Sequence, residues 1–584
     1  VIAKTSEPSV AYKYDAGVKG VGLLPATKVV WRDLANSWQE RGLGDTVPAE
    51  AITVKTNNRV LAAEVTGGSI AVFPAPHTYF WAREVDYNLG YNWYRKDSTA
   101  SFSFGIRQAE REESVAQENR GSEDRSQNFA LLNARPGTWQ RMPVYFYASA
   151  EAAPRTIESA LTFTRGDRFK ALPGYQVMAT HFHMGLVRRA RQAGGLDARV
   201  SDLEVMKAAG IKIVAPIDGG GYVPGSAGVD DPKWFKWTRG LGAALGGDAG
   251  SSEGEEVSGA GKGKASGDPF QAMAAYYETA RLQSNADFVV MPNAEMLRGD
   301  VSRALGGHSD VLISHPTFWS QGRAAGQALV ESDPKHGKIY HLGNTADMME
   351  MAHRENMLVY IPHPRSKGSA GFPDGIKDTP HFLDANYRGI GFRWGMGLDG
   401  SEQRLCEYRC LPLLDDMNNW VADKPTPPKY IQAISEVYEQ GYGDDIYANN
   451  PVNYVKIDAL PSPGEWGSIV NAMTKGDYFV TSGEVLIPSY SVEGNGSHRT
   501  IMADVQWTFP LEFVEVVWGD GQHTDRQIIS ATGLPAFGSH RFQIPFTADG
   551  KKWVRFAAWD SAGNGAMVQP IKLASAAAKT SSGR

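Results

Sequence analysis

Thr180-His181-Phe182-His183 sets two imidazoles two residues apart at the end of an apolar segment. Side chains two apart on a strand leave the same face, so both rings can reach one metal ion at about 2.0–2.1 Å. The plainer alternative is two polar residues at a strand end with no shared ligand. Other metal-type residues also fall just past predicted strands: Asp218 after residues 211–217, Glu295 after 288–291, His363 after 357–361 and Asp399 after 388–394. Ligands bind at the open carboxyl end of a parallel sheet or barrel, so residues distant in sequence converge there. In such a site a bound ion lowers the pKa of water towards ~7 and polarises a carbonyl. Asp218 or Asp399 would orient or deprotonate that water. Arg365 and Lys367, close behind His363, would hold an anionic substrate or a developing oxyanion. A solvated basic loop explains the same two residues. His315 lies seven residues after His308, and if 310–314 is a strand this odd spacing turns the two rings to opposite faces. The remaining histidines, His353 among them, read as surface or internally satisfied groups.

The elements that must position these residues follow from patterning. Residues 1–168 show strand-like alternation, clearest in Ser101-Phe102-Ser103-Phe104-Gly105-Ile106, and form a β-rich N-terminal domain. Residues 108–127, dense in Glu, Arg and Ser, interrupt it as a solvated loop. From 169 to 486 strands alternate with helices, which predicts an α/β domain with a largely parallel sheet. Its first unit is strand 175–183, a helix opened by the capping box Ser201-Asp202-Leu203-Glu204, and strand 211–217. Residues 246–267 have the Gly/Ser/Ala composition of a flexible insertion. Residues 487–584 return to β character, with strands 513–518 and 553–559, and predict a C-terminal β-sandwich.

A chain of 584 residues exceeds what one core serves, so two to four domains are expected. An apolar fraction of 42% with 21% charged residues excludes a disordered chain. A net charge of −6 without basic blocks excludes the electrostatic footprint of a nucleic-acid binder. No run of about 18 apolar residues occurs, so no membrane span is expected. Cys406 and Cys410, four apart, read as buried thiols or as a geometrically awkward bridge, and two cysteines cannot build a zinc ribbon.

Several segments together carry a family resemblance. They are residues 175–183, Glu295 followed by Gly306-Gly307-His308, Ile361-Pro362-His363-Pro364, and Gly476-Asp477-Tyr478-Phe479-Val480-Thr481-Ser482-Gly483. The closing Trp553-Val554-Arg555-Phe556, Asn564-Gly565-Ala566 and Gln569-Pro570-Ile571 complete the set. In order and spacing, from Gly174 to Leu573, the chain resembles the PHP metallohydrolases of the CehA/McbA carbaryl-hydrolase type. The resemblance implies an α/β fold with a distorted (β/α)7 barrel between the two β-domains. It implies metal ligation by His181, His183, Glu295, His308 and His363, with zinc first and manganese or iron as alternatives. It also implies hydrolysis of carbamate or carboxylic ester bonds, as in aryl N-methylcarbamates, with Phe80-Trp81-Ala82-Arg83 and Trp394 as walls for a ring. The chain departs from the family at Asp218-Gly219 and Asp399-Gly400-Ser401, where the pattern has Asp-His and Asp-x-His. One or two ions are therefore expected rather than three. A PHP-type phosphoesterase and a carbohydrate-acting or carbohydrate-binding protein are the rival readings. A start at Val1, the low cysteine count and the resemblance point to a periplasmic or secreted protein, with oligomeric state open and a homodimer included.

Overall fold

The computed structural model describes residues 2–7, 10–12, 15–44, 50–77, 91–107, 132–134, 137, 139–141, 143–217, 270–296, 299–365, 369–392, 411–435 and 446–573. Asp218, Lys367, Asp399, Trp394, Cys406, Cys410, residues 80–83, the loop 108–127 and the insertion 246–267 lie outside them.

The N-terminal region is β-rich, as its alternation predicts. One antiparallel sheet joins Asp15–Gly22, Ser101–Arg107, Tyr91–Lys96 and Ile52–Lys55, and a second joins Tyr145–Ser149, Gly68–Phe73, Leu61–Val65, Lys28–Arg32 and Trp38–Gly42. Phe102, Phe104 and Ile106 meet Val29, Leu61 and Val72 in the core between them.

The central region is a mixed α/β structure carried on two sheets. In the first, β1 (Gln176–Phe182), β2 (Ile213–Pro216) and β3 (Val289–Val290) run parallel. The second sheet has the order β4 (Asn293–Met296), β5 (Ser309–Leu312), β6 (Leu358–Ile361), β7 (Tyr387–Phe392) and β8 (Tyr430–Ala433). Only β6, β7 and β8 are parallel in it; β4 and β5 are antiparallel members. The expectation of a largely parallel sheet is thus corrected to two short parallel runs, since β5 pairs antiparallel with both β4 and β6 even though the helix Asp300–Leu305 links β4 to β5. Back in the first sheet, β9 (Val452–Val455) and β10 (Tyr478–Thr481) add antiparallel to β1. That sheet continues through Gly565–Val568, Trp553–Asp560, Leu511–Gly519 and Thr524–Ser530, and with Ile571–Lys572 pairing beside Trp553–Asp560 it has ten strands among the described residues. Val485–Asn495, His498–Trp507 and Gly538–Thr547 form a three-stranded sheet whose Ile501, Val505, Phe542 and Ile544 pack on Val514, Val516, Val554 and Phe556.

The capping box expected at Ser201 does not form. Helix α1 (Ser201–Ala208) starts after Val200 with no side-chain cap, because both members of the box are held elsewhere: Ser201 Oγ accepts from Arg189 at 2.6 Å, and Glu204 accepts from Lys207 at 3.0 Å and from Arg199. A cap does form at α2 (Thr345–Arg354), where Asn344 accepts from the Asp347 N–H at 3.0 Å.

The described ladders do not by themselves close a (β/α)7 barrel. The outer edge of β8 is nevertheless satisfied. Asn453 on β9 pairs its amide with the N–H and C=O of Ala433 at 2.8 and 3.1 Å, and Gln569 does the same for Ile431 at 2.9 Å each. Two side-chain amides thus stand in for a neighbouring strand and tie the sheets together, because a buried bare edge would carry unpaired backbone groups. Among the described residues, no helix is long and apolar enough to cross a membrane.

Candidate metal centre

Strand β1 carries the His-x-His pair, but not on a regular pleat. Its register against β2 shifts between Thr180 and Phe182, and His181 has φ 56°, a left-handed conformation rarely adopted by non-glycine residues. Backbone strain of this kind costs on the order of 1–3 kcal/mol and persists where surroundings enforce it. Through the bulge the two rings sit 5.0 Å apart and perpendicular. They share a site, as the spacing predicts, by a bulge rather than by alternation.

Glu295 does not follow a strand; it lies inside one. The chain leaves β3 at Val290, crosses to the other sheet and enters β4 two residues before Glu295. Glu295 is directly opposite Asp310 on β5, and Asp310 opposite Tyr360 on β6. Because β5 runs antiparallel to β6, its start lies at the same end as the finish of β6. His308, just before β5, therefore meets His363, two residues beyond β6, with ring centroids 4.8 Å apart.

Around Glu295 the distances are short. Its Oε1 lies 3.0 Å from His308 Nδ1 and 3.2 Å from His363 Nε2, and its Oε2 lies 4.0 Å from His183 Nε2. His181, Glu295 and His363 are buried, and each offers a ligand atom within 4.8 Å of the others. Burial opposes charge on Glu295, yet the neighbouring His181, His308 and His363 hold its carboxyl well below the usual carboxylate range.

Asp310 is the functional residue that sequence reasoning missed. Its carboxylate accepts from His181 Nδ1 at 2.8 and 3.0 Å, and Gln432 on β8 donates to the same carboxylate at 3.2 Å. An ionised carboxylate only accepts, so Nδ1 carries the proton and Nε2 is the atom this ring can offer an ion. The available signal was an acid two residues from His308, at the head of the apolar run Val311-Leu312-Ile313.

No protein-family model matches the chain, and no curated protein does. The centre therefore stands on its own chemistry.

That chemistry fits a divalent transition metal. A buried carboxylate and converging imidazoles form the nitrogen and oxygen donor set used for zinc, and Asp310 orients one imidazole from behind. Of the other sequence candidates, Arg365 is engaged elsewhere: its guanidinium grips Asp374 through two bonds of 2.7 Å. His315 turns away, as odd spacing predicts, with Nε2 3.0 Å from Glu355. His353 is an exposed partner of Asp384 at 2.8 Å. His77, though buried, bonds the Ser482 carbonyl at 2.8 Å, an internally satisfied role.

Proposed function

We propose that this protein is a divalent-metal-dependent hydrolase, with zinc as the preferred ion, that cleaves carbamate or carboxylic ester bonds such as those of aryl N-methylcarbamates. The observation that carries the reading is the buried His181, Glu295 and His363 group with His308 set against it. His183 stands on the far side of the same carboxylate. A distorted (β/α)7 arrangement of the two sheets goes with this function.

When bound, a divalent ion supplies Lewis acidity to a scissile carbonyl and lowers the pKa of water towards ~7. The chain's own residues do the rest. Glu295, held ionised, provides the negative charge that offsets a cation in a buried setting. Asp310 fixes the tautomer and orientation of His181, with Gln432 holding the carboxylate in place. His308 and His183, with side chains 23% and 15% exposed, are the members of the group that solvent reaches, so substrate would approach from their side. Asp218 and Asp399 remain the proposed general bases.

The phosphoesterase rival relied on Arg365 and Lys367 as a phosphate clamp. Arg365 already has its planar fork filled by Asp374, which weakens that rival. Elemental analysis of the purified protein, followed by rates on 1-naphthyl N-methylcarbamate and p-nitrophenyl phosphate before and after chelation, tests the proposal. One or two ions per chain, activity lost with the ion and faster carbamate turnover are expected. Full activity in metal-free protein, or a faster phosphate, would overturn it.

A further inference from the structure

A second set of side chains able to do chemistry stands apart from the metal centre, on the excursion between β5 and α2. Strands Phe318–Gln321, Gly337–Leu342 and Val330–Asp333 form a three-stranded sheet there, with Gly337–Leu342 in the middle. Trp319, Tyr340 and Leu342 enter the core from one face of it, so residues of opposite parity share the other face. Ser320 is directly opposite His341 across the parallel pair. Glu331, opposite Ile339 across the antiparallel pair, lies on that same face. Register thus sets a hydroxyl, an imidazole and a carboxylate from three strands in a row. Ser320 Oγ is 3.1 Å from His341 Nδ1, and His341 Nε2 is 3.1 Å from Glu331 Oε2.

An ionised carboxylate only accepts, so in the neutral ring Nε2 carries the proton and Nδ1 is left to accept from the Ser320 hydroxyl. A nucleophile needs that polarity: a base in contact with the hydroxyl, and an acid that orients the base. The two ring nitrogens are interchanged relative to the usual Ser-His-Asp order, but either serves as base when the other holds the proton. The main chain adds a donor. Gly322 N–H bonds the Leu342 carbonyl at 2.7 Å and His341 N–H bonds that of Leu329, so Gln321 turns its own N–H away from the middle strand. Among the described residues no strand pairs on that outer side. In α/β-hydrolases the N–H of the residue after the nucleophile is one of the donors to the oxyanion, and Gln321 holds that place after Ser320.

We propose that Ser320, His341 and Glu331 form a second esterolytic centre, independent of metal, that takes acyl groups from activated carboxylic esters. Ser320 is 7% exposed, so the acyl group it receives is a compact one. Ser320 Oγ attacks the ester carbonyl and passes its proton to His341 Nδ1. As the bond from carbon to the leaving oxygen breaks, the departing alkoxide or phenoxide takes that proton. Water then attacks the acyl-serine and gives a proton to Nδ1, and Oγ regains it as the carboxylic acid leaves. Glu331 is a positioning residue: it fixes the tautomer of His341 and stabilises the imidazolium.

The test uses the full chain stripped of metal by chelator, so that the imidazole centre supplies no turnover. A fluorophosphonate, which loses fluoride to a serine Oγ and stays attached, should label one residue per chain, and peptide mapping should place it on Ser320. The same stripped chain should hydrolyse p-nitrophenyl acetate. Ser320→Ala should abolish both reactions, and His341→Asn should slow labelling by about 100-fold or more, as loss of a general base does. Glu331→Gln should slow it less without lowering the final extent, and Glu331→Asp should restore most of the rate. His363→Ala should label as the parent does. If Ser320→Ala fails to fold, the position of the label in the unaltered chain decides. No labelling, labelling at a residue other than Ser320, or a rate unaffected by His341→Asn would overturn the second centre, and each of these leaves the metal-dependent reading untouched.

Discussion

Glu295 and Glu484 are the same residue in nearly the same degree of burial, and their carboxyls are driven in opposite directions. Glu295 is ringed by imidazoles and held well below the usual range; Glu484 is pushed up to about 7 by burial, against the pull of Tyr447, Ser482 and Arg165. Burial alone would raise both. What separates them is the strength of the neighbours: at Glu295 three imidazoles outweigh burial, whereas at Glu484 the pull of Tyr447, Ser482 and Arg165 does not. The first environment prepares an anion for a cation held by nitrogen and oxygen, and the second favours the protonated carboxyl up to near neutrality.

The strongest way to break this contrast is to remove an imidazole from Glu295. His363→Ala takes away one of the groups 3.2 Å from its carboxylate, and we expect the ion to be lost or turnover to fall by orders of magnitude, read by metal content and initial rate. Retained metal and retained rate would mean that Glu295 does not sit in a ligand set. Asp310→Asn is the milder version. It leaves every proposed ligand in place but loosens the hold on His181, so affinity for the ion should drop about 10–100-fold in a competition titration while the melting temperature barely moves.

The contrast can be sharpened from the other side. Glu484 has a folded value above its unfolded value of about 4.3, so its contribution to stability is fully present below that pH and is lost as pH rises through about 7. Glu484→Gln should therefore flatten the decline in stability across this window and stabilise the chain at pH 8, by on the order of 1–3 kcal/mol in denaturant unfolding. A variant whose decline matches that of the parent would show that Glu484 is not the titrating group. The smallest effect is expected at His353, 48% exposed and paired with Asp384. His353→Ala should leave metal content and rate unchanged, since exposed ion pairs contribute about 0–1 kcal/mol and this one is remote from the centre.

Much of the centre was legible in the chain before folding was considered. His181 and His183 announce themselves by spacing, and His363 by its place just beyond the apolar strand Leu358–Ile361. Glu295 was found for the wrong reason. It was read as the residue after a strand, whereas it lies within the four-residue strand Asn293–Met296, too short for alternation to register. His308 came only from a family resemblance, because no local pattern reveals that β5 runs antiparallel and starts at the mouth. Asp310 and Gln432 were not found at all: an acid and an amide inside apolar strands have no one-dimensional signature of the imidazole or carboxylate they will face.

By itself the sequence determined the alternation of strands and helices, the β character of both ends, and the chemical types able to hold a metal. Those are properties of neighbours along the chain, set by side-chain period, capping chemistry and composition. The tertiary structure alone decided that the strands would form two sheets joined by Asn453 and Gln569, that His181 would reach the centre through a bulge, and that Glu295 would meet imidazoles while Glu484 met partners too weak to outweigh its burial. Each of these depends on which segments distant in sequence come to lie side by side. In a low-dielectric interior that adjacency, more than residue type, fixes whether a carboxylate is charged.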